Sequence, residues 1–117
     1  EQDNGKTQIT TLAPDYVAGI GAELKYTFKV QFSSIGKVTE FGIVYKAWIN
    51  EKTNKTPTIG DSESEKIPFT GTPSAGVVLT QELALRYSVF NDANYRAYAI
   101  TSSGEIVYGE VLYIVFV

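Results

Sequence analysis

The chain has 117 residues, of which 44% are hydrophobic and 20% charged, a composition that fits one globular domain with a single core. It contains neither cysteine nor histidine, which excludes thiol and imidazole catalysis, disulfides and the usual zinc-ligand sets. The net charge is −3 and neither sign gathers into a patch, so nucleic acid is not expected as a partner. No window approaches the roughly 18 apolar residues of a membrane span, so none is predicted in this chain.

The first eight residues contain no apolar side chain and are predicted to form a flexible leader, which leaves residues 9–117 as the folded domain. Position 1 is Glu1 rather than methionine, and this favours a precursor from which an export signal has been removed. The first strand is predicted over residues 7–12, at the junction of leader and domain.

Strict alternation gives the strongest local prediction in the chain. Between residues 23 and 33, apolar and polar side chains alternate, which is typical of a strand with one buried face. Residues 39–49 are rich in aromatic and β-branched side chains, and the turn residues between the two segments predict that they form a hairpin. Residues 50–66 are polar apart from Ile59 and are predicted to be a long exposed connection.

The second half of the chain is also predicted to consist of strands. The proline in residues 67–69 restricts that segment to an edge strand or an irregular stretch. Residues 77–90 fit both a strand, by alternation, and a helix, by the spacing of Leu79, Leu83 and Tyr87, and the strand is favoured. Further strands are predicted over residues 95–101 and 105–117. Six or seven strands with no convincing helix predict an all-β antiparallel sandwich or a small barrel.

Several motifs in order resemble the fibronectin type III-like modules of bacterial, Bacteroidetes-type, cell-surface proteins. They are VTEFGIVY at residues 38–45, TPT at 56–58, YRAYAIT at 95–101, Gly104, and YGE at 108–110. The resemblance implies a seven-stranded immunoglobulin-like sandwich, in which residues 23–32, 39–49, 95–101 and 105–117 are strands B, C, F and G. One departure is Ala93, which stands where the family usually has a tyrosine that forms a corner between strands E and F.

The resemblance also implies a role. Such modules are non-catalytic spacers, scaffolds or protein-interaction units of exported proteins, located at the bacterial surface or in the periplasm, and the precursor is expected to carry an N-terminal lipid anchor in some cases. Because the family occurs beside many activities, the resemblance does not name a ligand.

The acidic residues are the first candidates for metal binding or catalysis. Asp61, Glu63 and Glu65 alternate and offer oxygen ligands for Ca²⁺, but they lack the spacing of a calcium loop, so a solvated loop is the favoured interpretation. Glu82 and Glu110 have no identifiable partner for acid–base catalysis. The sequence therefore predicts no enzyme activity, no catalytic residue, no metal and no cofactor.

The aromatic residues suggest a binding surface. Strand alternation predicts that one face of the C, F and G strands carries four outward side chains: Trp48, Arg96, Tyr98 and Tyr108. Such a flat platform contacts a glycan ring or a protein partner. The competing interpretation, which is favoured, is that Tyr98 and Tyr108 only cover the small Gly42 and Gly109. A carbohydrate-binding module is thus the alternative function.

The last seven residues, from Val111 to Val117, are apolar without alternation. Both faces of this segment are therefore expected to be covered, either by a neighbouring domain or by a second copy of the chain. Self-association through this segment is one expected outcome.

Overall fold

The computed structural model describes residues 7–20, 23–48, 56–62, 64–86 and 92–115. Within these ranges the chain forms eight strands and no helix. The strands are β1 (Gln8–Ile20), β2 (Glu23–Ser34), β3 (Val38–Trp48), β4 (Glu65–Pro68), β5 (Val78–Arg86), β6 (Asp92–Thr101), β7 (Ile106–Tyr108) and β8 (Leu112–Val115).

The strands form two antiparallel sheets. The smaller sheet has the order β1-β2-β5, and the larger has the order β4-β3-β6-β7, with β8 also paired to β6. The two sheets face each other across one apolar core, as expected for an all-β protein with two layers. Its buried members are Ile9, Tyr26, Phe28, Val30, Phe32, Phe41, Ile43, Phe69, Ala93, Tyr95, Ala97 and Ala99.

Aromatic rings join the two layers. Phe28 of β2 meets Tyr95 of β6 edge to face with ring centroids 5.3 Å apart, and Phe32 meets Phe41 of β3 in the same way at 5.6 Å. Such pairs contribute about 0.5–1.5 kcal/mol beyond the area that they bury. The inward faces predicted from alternation for the described side chains of β2, β3 and β6 are therefore confirmed.

The predicted hairpin between residues 23–33 and 39–49 is wrong. These segments are β2 and β3, and they lie in different sheets. Each strand has an apolar face, and a side-by-side pair would leave both faces uncovered. The link of residues 35–37 spans about 10 Å when extended, which is the usual distance between packed sheets. The chain therefore crosses from one layer to the other at this turn.

The N-terminal strand is longer than predicted, because it continues eight residues beyond Leu12. It runs from Gln8 to Ile20, paired with β2, and one irregularity of its register, between Leu12 and Asp15, contains Pro14. Thr7 is buried, and its hydroxyl accepts a hydrogen bond of 3.0 Å from the Gly36 amide. Thr7 and Gln8 are thus part of the folded domain, and the rest of the predicted leader, residues 1–6, lies outside the described ranges.

Residues 78–86 form a strand, so the favoured interpretation of this segment is confirmed there. Residues 87–91, with the rebuilt crossing expected before Ala93, lie outside the described ranges. Ala93 itself is 2% exposed and belongs to the core.

The C-terminal strand predicted over residues 105–117 is broken. Gly109, Glu110 and Val111 separate β7 from β8, and β1 passes beside this break. A Cβ atom on Gly109 would lie 2.6 Å from Thr11 Oγ1 and 2.8 Å from Thr11 N, so only glycine allows this approach. The Gly109 amide still donates to the Ala97 carbonyl at 2.9 Å.

Thr11 supplies a hydrogen-bond acceptor where the larger sheet is broken. It lies in β1 of the smaller sheet and is 4% exposed, and its hydroxyl accepts a hydrogen bond of 2.8 Å from the Ala97 amide of β6. The amide is buried at this position, so without Thr11 Oγ1 it loses this acceptor.

Replacing Thr11 by valine is therefore expected to lower the free energy of unfolding by about 1–3 kcal/mol, the cost of leaving a buried donor unpaired. Valine has the shape of threonine, so the change removes the acceptor and little else. Denaturant titration measures the effect. Thr11→Ser keeps the hydroxyl and should lose clearly less; equal losses for the two variants would contradict this account.

Candidate functional site

A loop of the chain covers the outer face of the larger sheet. This covering loop consists of residues 56–62 and residue 64, between β3 and β4. Pro57 is less than 2% exposed, and its carbonyl accepts a hydrogen bond of 2.7 Å from Arg96 Nε. The Tyr108 hydroxyl accepts a bond of 3.0 Å from the Ile59 amide. The connection predicted over residues 50–66 is exposed at Thr56, Thr58, Gly60 and Ser62. The prediction is wrong for Pro57, which is buried where Arg96 and Tyr108 hold the loop on the sheet.

Arg96 and Tyr108 also contact each other. The guanidinium carbon of Arg96 lies 3.5 Å from the centroid of the Tyr108 ring, a cation–π contact between neighbouring strands. Burial lowers the pKa of the Arg96 guanidinium, and Tyr108 partly opposes this shift. The guanidinium still carries its charge at neutral pH, because the pKa of arginine starts far above that range. The bond to the Pro57 carbonyl is therefore charge-assisted.

Tyr98 starts a second group of contacts on the same face. Its side chain is 0% exposed, and its hydroxyl donates to Glu40 Oε2 at 2.6 Å. The same oxygen is 2.8 Å from Lys66 Nζ on β4. Hydrogen bonds from Lys66 and Tyr98 hold the pKa of the Glu40 carboxyl below its usual value. Burial and the bond to Glu40 in turn raise the pKa of Tyr98.

Lys46 fixes the far end of the covering loop. Its side chain is 2% exposed, and Nζ lies 2.8 Å from Asp61 Oδ2. Asp61 also accepts a 3.0 Å hydrogen bond from the Ser64 hydroxyl. Removing one partner of such a buried pair leaves an uncompensated charge, which is strongly destabilising. The loop is thus attached to the sheet by charged contacts at both ends.

The structure brings three of the four residues predicted to contact a ligand onto one face of the larger sheet. Arg96 and Tyr108 touch each other, and Tyr98 is two positions along β6 on the same face. The backbone of Trp48 ends β3 opposite Asp92, four residues beyond Val44, and its side chain lies outside the described part of the chain. Their role as ligand contacts stays a prediction, but Tyr98 is not exposed as the platform requires.

Sequence reasoning missed the contacts of this face. Tyr98 bonds to Glu40, which also pairs with Lys66, and Arg96 bonds to Pro57. It also missed the pair of Lys46 and Asp61, although a buried lysine needs an acidic partner. Proximity to Asp61 follows only from the path of the loop.

A half-open cavity of about 390 Å³ lies between the covering loop and the sheet. It is lined by Val44, Thr58, Ile59, Gly60, Asp61, Ser64 and Lys66. The volume is within the usual range of small-molecule pockets. Two apolar side chains and two hydroxyls share the wall with two charges, and each charge already has an ionic partner in the fold.

Comparisons with protein-family models, with curated proteins and with solved structures find no significant match. Within the described ranges, no three histidine, cysteine or acidic side chains lie close enough to hold a metal ion. The same residues include no helix with the length and apolarity needed to cross a membrane.

Buried tyrosines make the fold sensitive to alkali. Burial raises the pKa of Tyr95 to about 12, and Tyr98 is also raised above the usual value of 10.0. The tyrosine pKa is higher in the folded state than in the unfolded state, where it is about 10. The contribution of such a tyrosine to stability is therefore complete below about pH 10 and is lost as the pH rises towards the folded-state pKa. The free energy of unfolding is expected to fall above pH 10 by up to about 1.4 kcal/mol per pH unit for each such tyrosine.

The test compares the chain with its Tyr95→Phe variant by denaturant unfolding between pH 8 and 11.5, a range set on either side of the ordinary tyrosine pKa of about 10. The variant removes one ionisable group from the core and should fall less steeply with pH. Parallel curves for the two proteins would contradict the expectation.

Proposed function

We propose that this chain is a non-catalytic module of the fibronectin type III-like class, which serves as a spacer, scaffold or protein-interaction unit of an exported bacterial surface or periplasmic protein. The distribution of strands supports the class. In immunoglobulin-like sandwiches strand B lies in one sheet and strands C, F and G in the other. Here β2 belongs to the smaller sheet, and β3, β6, β7 and β8 belong to the larger.

The observation that carries the proposal is that the motifs of the resemblance contact one another. Glu40 accepts a hydrogen bond from the Tyr98 hydroxyl, and the Pro57 carbonyl accepts one from Arg96 Nε. Arg96 in turn lies over the ring of Tyr108. Motifs that are far apart in sequence thus form one connected set on the outer face of the larger sheet.

The same contacts support a structural role. Arg96 and Tyr108 attach the covering loop to the sheet, and Glu40, bonded to Tyr98, holds Lys66 of β4. Gly42 has a matching structural use, because a Cβ atom there would overlap the Ile67 carbonyl of β4. A module stiffened on its outer face is suited to hold neighbouring domains or partners at a fixed distance.

Export is tested in the organism that encodes the chain. Cells are fractionated, and intact cells are treated with a protease before the protein is detected with an antibody against this chain. The proposal expects the protein in the periplasmic or outer-membrane fraction, with cleavage of intact cells if it faces outward. Recovery in the cytosolic fraction, protected from protease, would overturn it.

A carbohydrate-binding module is the second candidate, and the cavity beside the covering loop favours it. Asp61 is neutralised by Lys46, and Lys66 by Glu40, so the wall offers hydroxyl groups and paired charges. Such a wall suits a neutral ligand rich in hydroxyl groups, while Val44 and Ile59 provide an apolar patch for the C–H face of a sugar.

Calorimetric titration with a panel of neutral and anionic glycans tests this candidate. Binding of a neutral glycan that weakens in Thr58→Val, but not in Thr80→Val on the exposed side of β5, would support the cavity as the site. A change in Trp48 fluorescence without an effect of Thr58→Val would instead assign the sugar to the predicted aromatic surface. If no glycan binds at millimolar concentration, the candidate is rejected.

A further inference from the structure

The edge of the larger sheet at β8 differs from the edges at β1, β4 and β5. A sheet edge presents unpaired backbone groups, and proteins usually protect it with charges, proline or bulges. β1 carries Pro14, Asp15 and irregular register. β4 carries Lys66, whose side chain is 43% exposed, and ends at Pro68. These edges are therefore poor templates for another strand.

The edge at β5 is protected in a weaker way. Two of its exposed positions are Thr80 and Glu82, and the Gln81 side chain accepts hydrogen bonds from Thr70. A second chain that paired with β5 would bring the Glu82 carboxylate into the interface, and removing this charge from water costs free energy.

β8 has no such protection. It consists of Leu112, Tyr113, Ile114 and Val115, pairs with β6 on one side, and has no described strand on the other. The segment does alternate, against the expectation that both its faces are covered. Leu112 and Ile114 pack against the core, whereas Val111 and Tyr113 are 39% and 53% exposed.

We propose that β8 pairs with β8 of a second copy of this chain, antiparallel and around a two-fold axis at Tyr113. The two larger sheets then form one continuous sheet across the dimer. This inference rests on the proposed function as an interaction unit and names a second copy as the partner.

The register follows from the two faces of the strand. Directly opposite residues of an antiparallel pair lie on the same face of the sheet. An axis at Tyr113 sets Tyr113 opposite the partner's Tyr113 and Leu112 opposite the partner's Ile114. Exposed side chains are then opposite exposed side chains, and core-facing side chains are opposite core-facing ones. A shift by one residue would mix the two faces.

Charge disfavours the register that has its axis at Leu112. An axis at Leu112 would set Glu110 opposite the partner's Ile114, whose side chain packs against the apolar core. With the axis at Tyr113, the two Glu110 residues are six positions apart along the seam, about 20 Å at the rise of a strand. At that distance salt screens their repulsion.

A second copy fits this edge better through β8 than through β4 or β5. Pairing β8 with β4 or β5 would bring the charged Lys66 or Glu82 to an apolar strand. It would also join unlike edges, which builds open chains rather than a closed dimer. The β8–β8 arrangement joins identical edges and is therefore closed.

Sedimentation velocity across micromolar to millimolar concentrations tests the pairing. The chain is expected to form a reversible dimer. Tyr113→Lys sets two like charges directly opposite each other and should raise the dimer dissociation constant at least about tenfold. Val78→Lys, which makes the same kind of change at an exposed position of β5, should leave the constant unchanged. A chain that stays monomeric, or a Tyr113→Lys variant that dimerises as before, overturns the proposal.

A cross-link tests the register. The chain has no cysteine, so Tyr113→Cys introduces a single thiol at the proposed axis. Directly opposite strand residues have Cα atoms about 4.5–5.5 Å apart, a distance that a disulfide spans. Tyr113→Cys should form a disulfide dimer much faster than Val78→Cys under the same oxidant. Equal rates would exclude this register. Failure of both tests would reject the dimer. It would not affect the proposed function, which is tested separately by cell fractionation.

Discussion

Replacing Arg96 by alanine is expected to lower the free energy of unfolding by about 2–4 kcal/mol, from the loss of a charge-assisted hydrogen bond and a cation–π contact. The Pro57 carbonyl loses its donor, and the Tyr108 ring loses the cation above it. The covering loop should then open locally, because the Pro57 carbonyl and the Thr58 hydroxyl, which is 3.5 Å from Arg96 Nη2, both lose their contact with this side chain. Denaturant titration gives the stability, and hydrogen exchange of the Ile59 amide reports the opening.

Two matched variants separate the contributions. Tyr108→Phe keeps the ring beneath Arg96 and removes the hydroxyl that accepts the Ile59 amide, so it should cost only about 1 kcal/mol. Arg96→Lys keeps the charge but loses the planar guanidinium, and it should behave more like alanine than like the native chain. Unchanged protection of the Ile59 amide in Arg96→Ala would show that the loop is held by other contacts.

Gly42→Ala is expected to destabilise the fold by about 3 kcal/mol or more, since the added Cβ overlaps backbone that has no flexible end to move. The nearest atoms are the Ile67 carbonyl and, at 3.0 Å, the Cα of Pro68. β4 must therefore shift away from β3. The shift would also break the ion pair between Lys66 and Glu40, which joins the two strands.

Gly71→Ala is the matched control for this prediction. It makes the same chemical change in the loop after β4, where no atom lies within 4 Å of the added Cβ. Its effect should be within about 0.5 kcal/mol, as is usual for surface substitutions. Similar unfolding free energies for the two alanine variants would show that the approach of β4 to Gly42 is not needed for stability.

Part of the candidate site was predictable from the alternation of side chains along the strands and part was not. Arg96, Tyr98 and Tyr108 were identified as outward residues, and the described side chains are on that face. Their burial was not anticipated, because the sequence of the loop is polar and polar loops are usually solvated. The loop lies on the sheet because Pro57 and Ile59 offer a carbonyl and an amide to groups that are 39 and 49 residues away.

The error over the β2–β3 hairpin has a similar origin. The two segments are adjacent in sequence, and adjacent strands often pair. Their apolar faces are better buried against each other across the core, as the contact between Phe32 and Phe41 shows. A preference of that kind depends on the whole set of strands and is not encoded in the turn alone.

The sequence by itself determined where the extended segments lie and which side of each is apolar. This information is local, because successive side chains of a strand point to opposite faces wherever the strand is. Only the tertiary structure decided which strands are neighbours, that the covering loop shields the outer aromatic face, and that Thr11 completes the gap at Gly109. These features depend on contacts between segments that are distant in sequence. Such contacts form, and stabilise the protein, only when both sheets are in place.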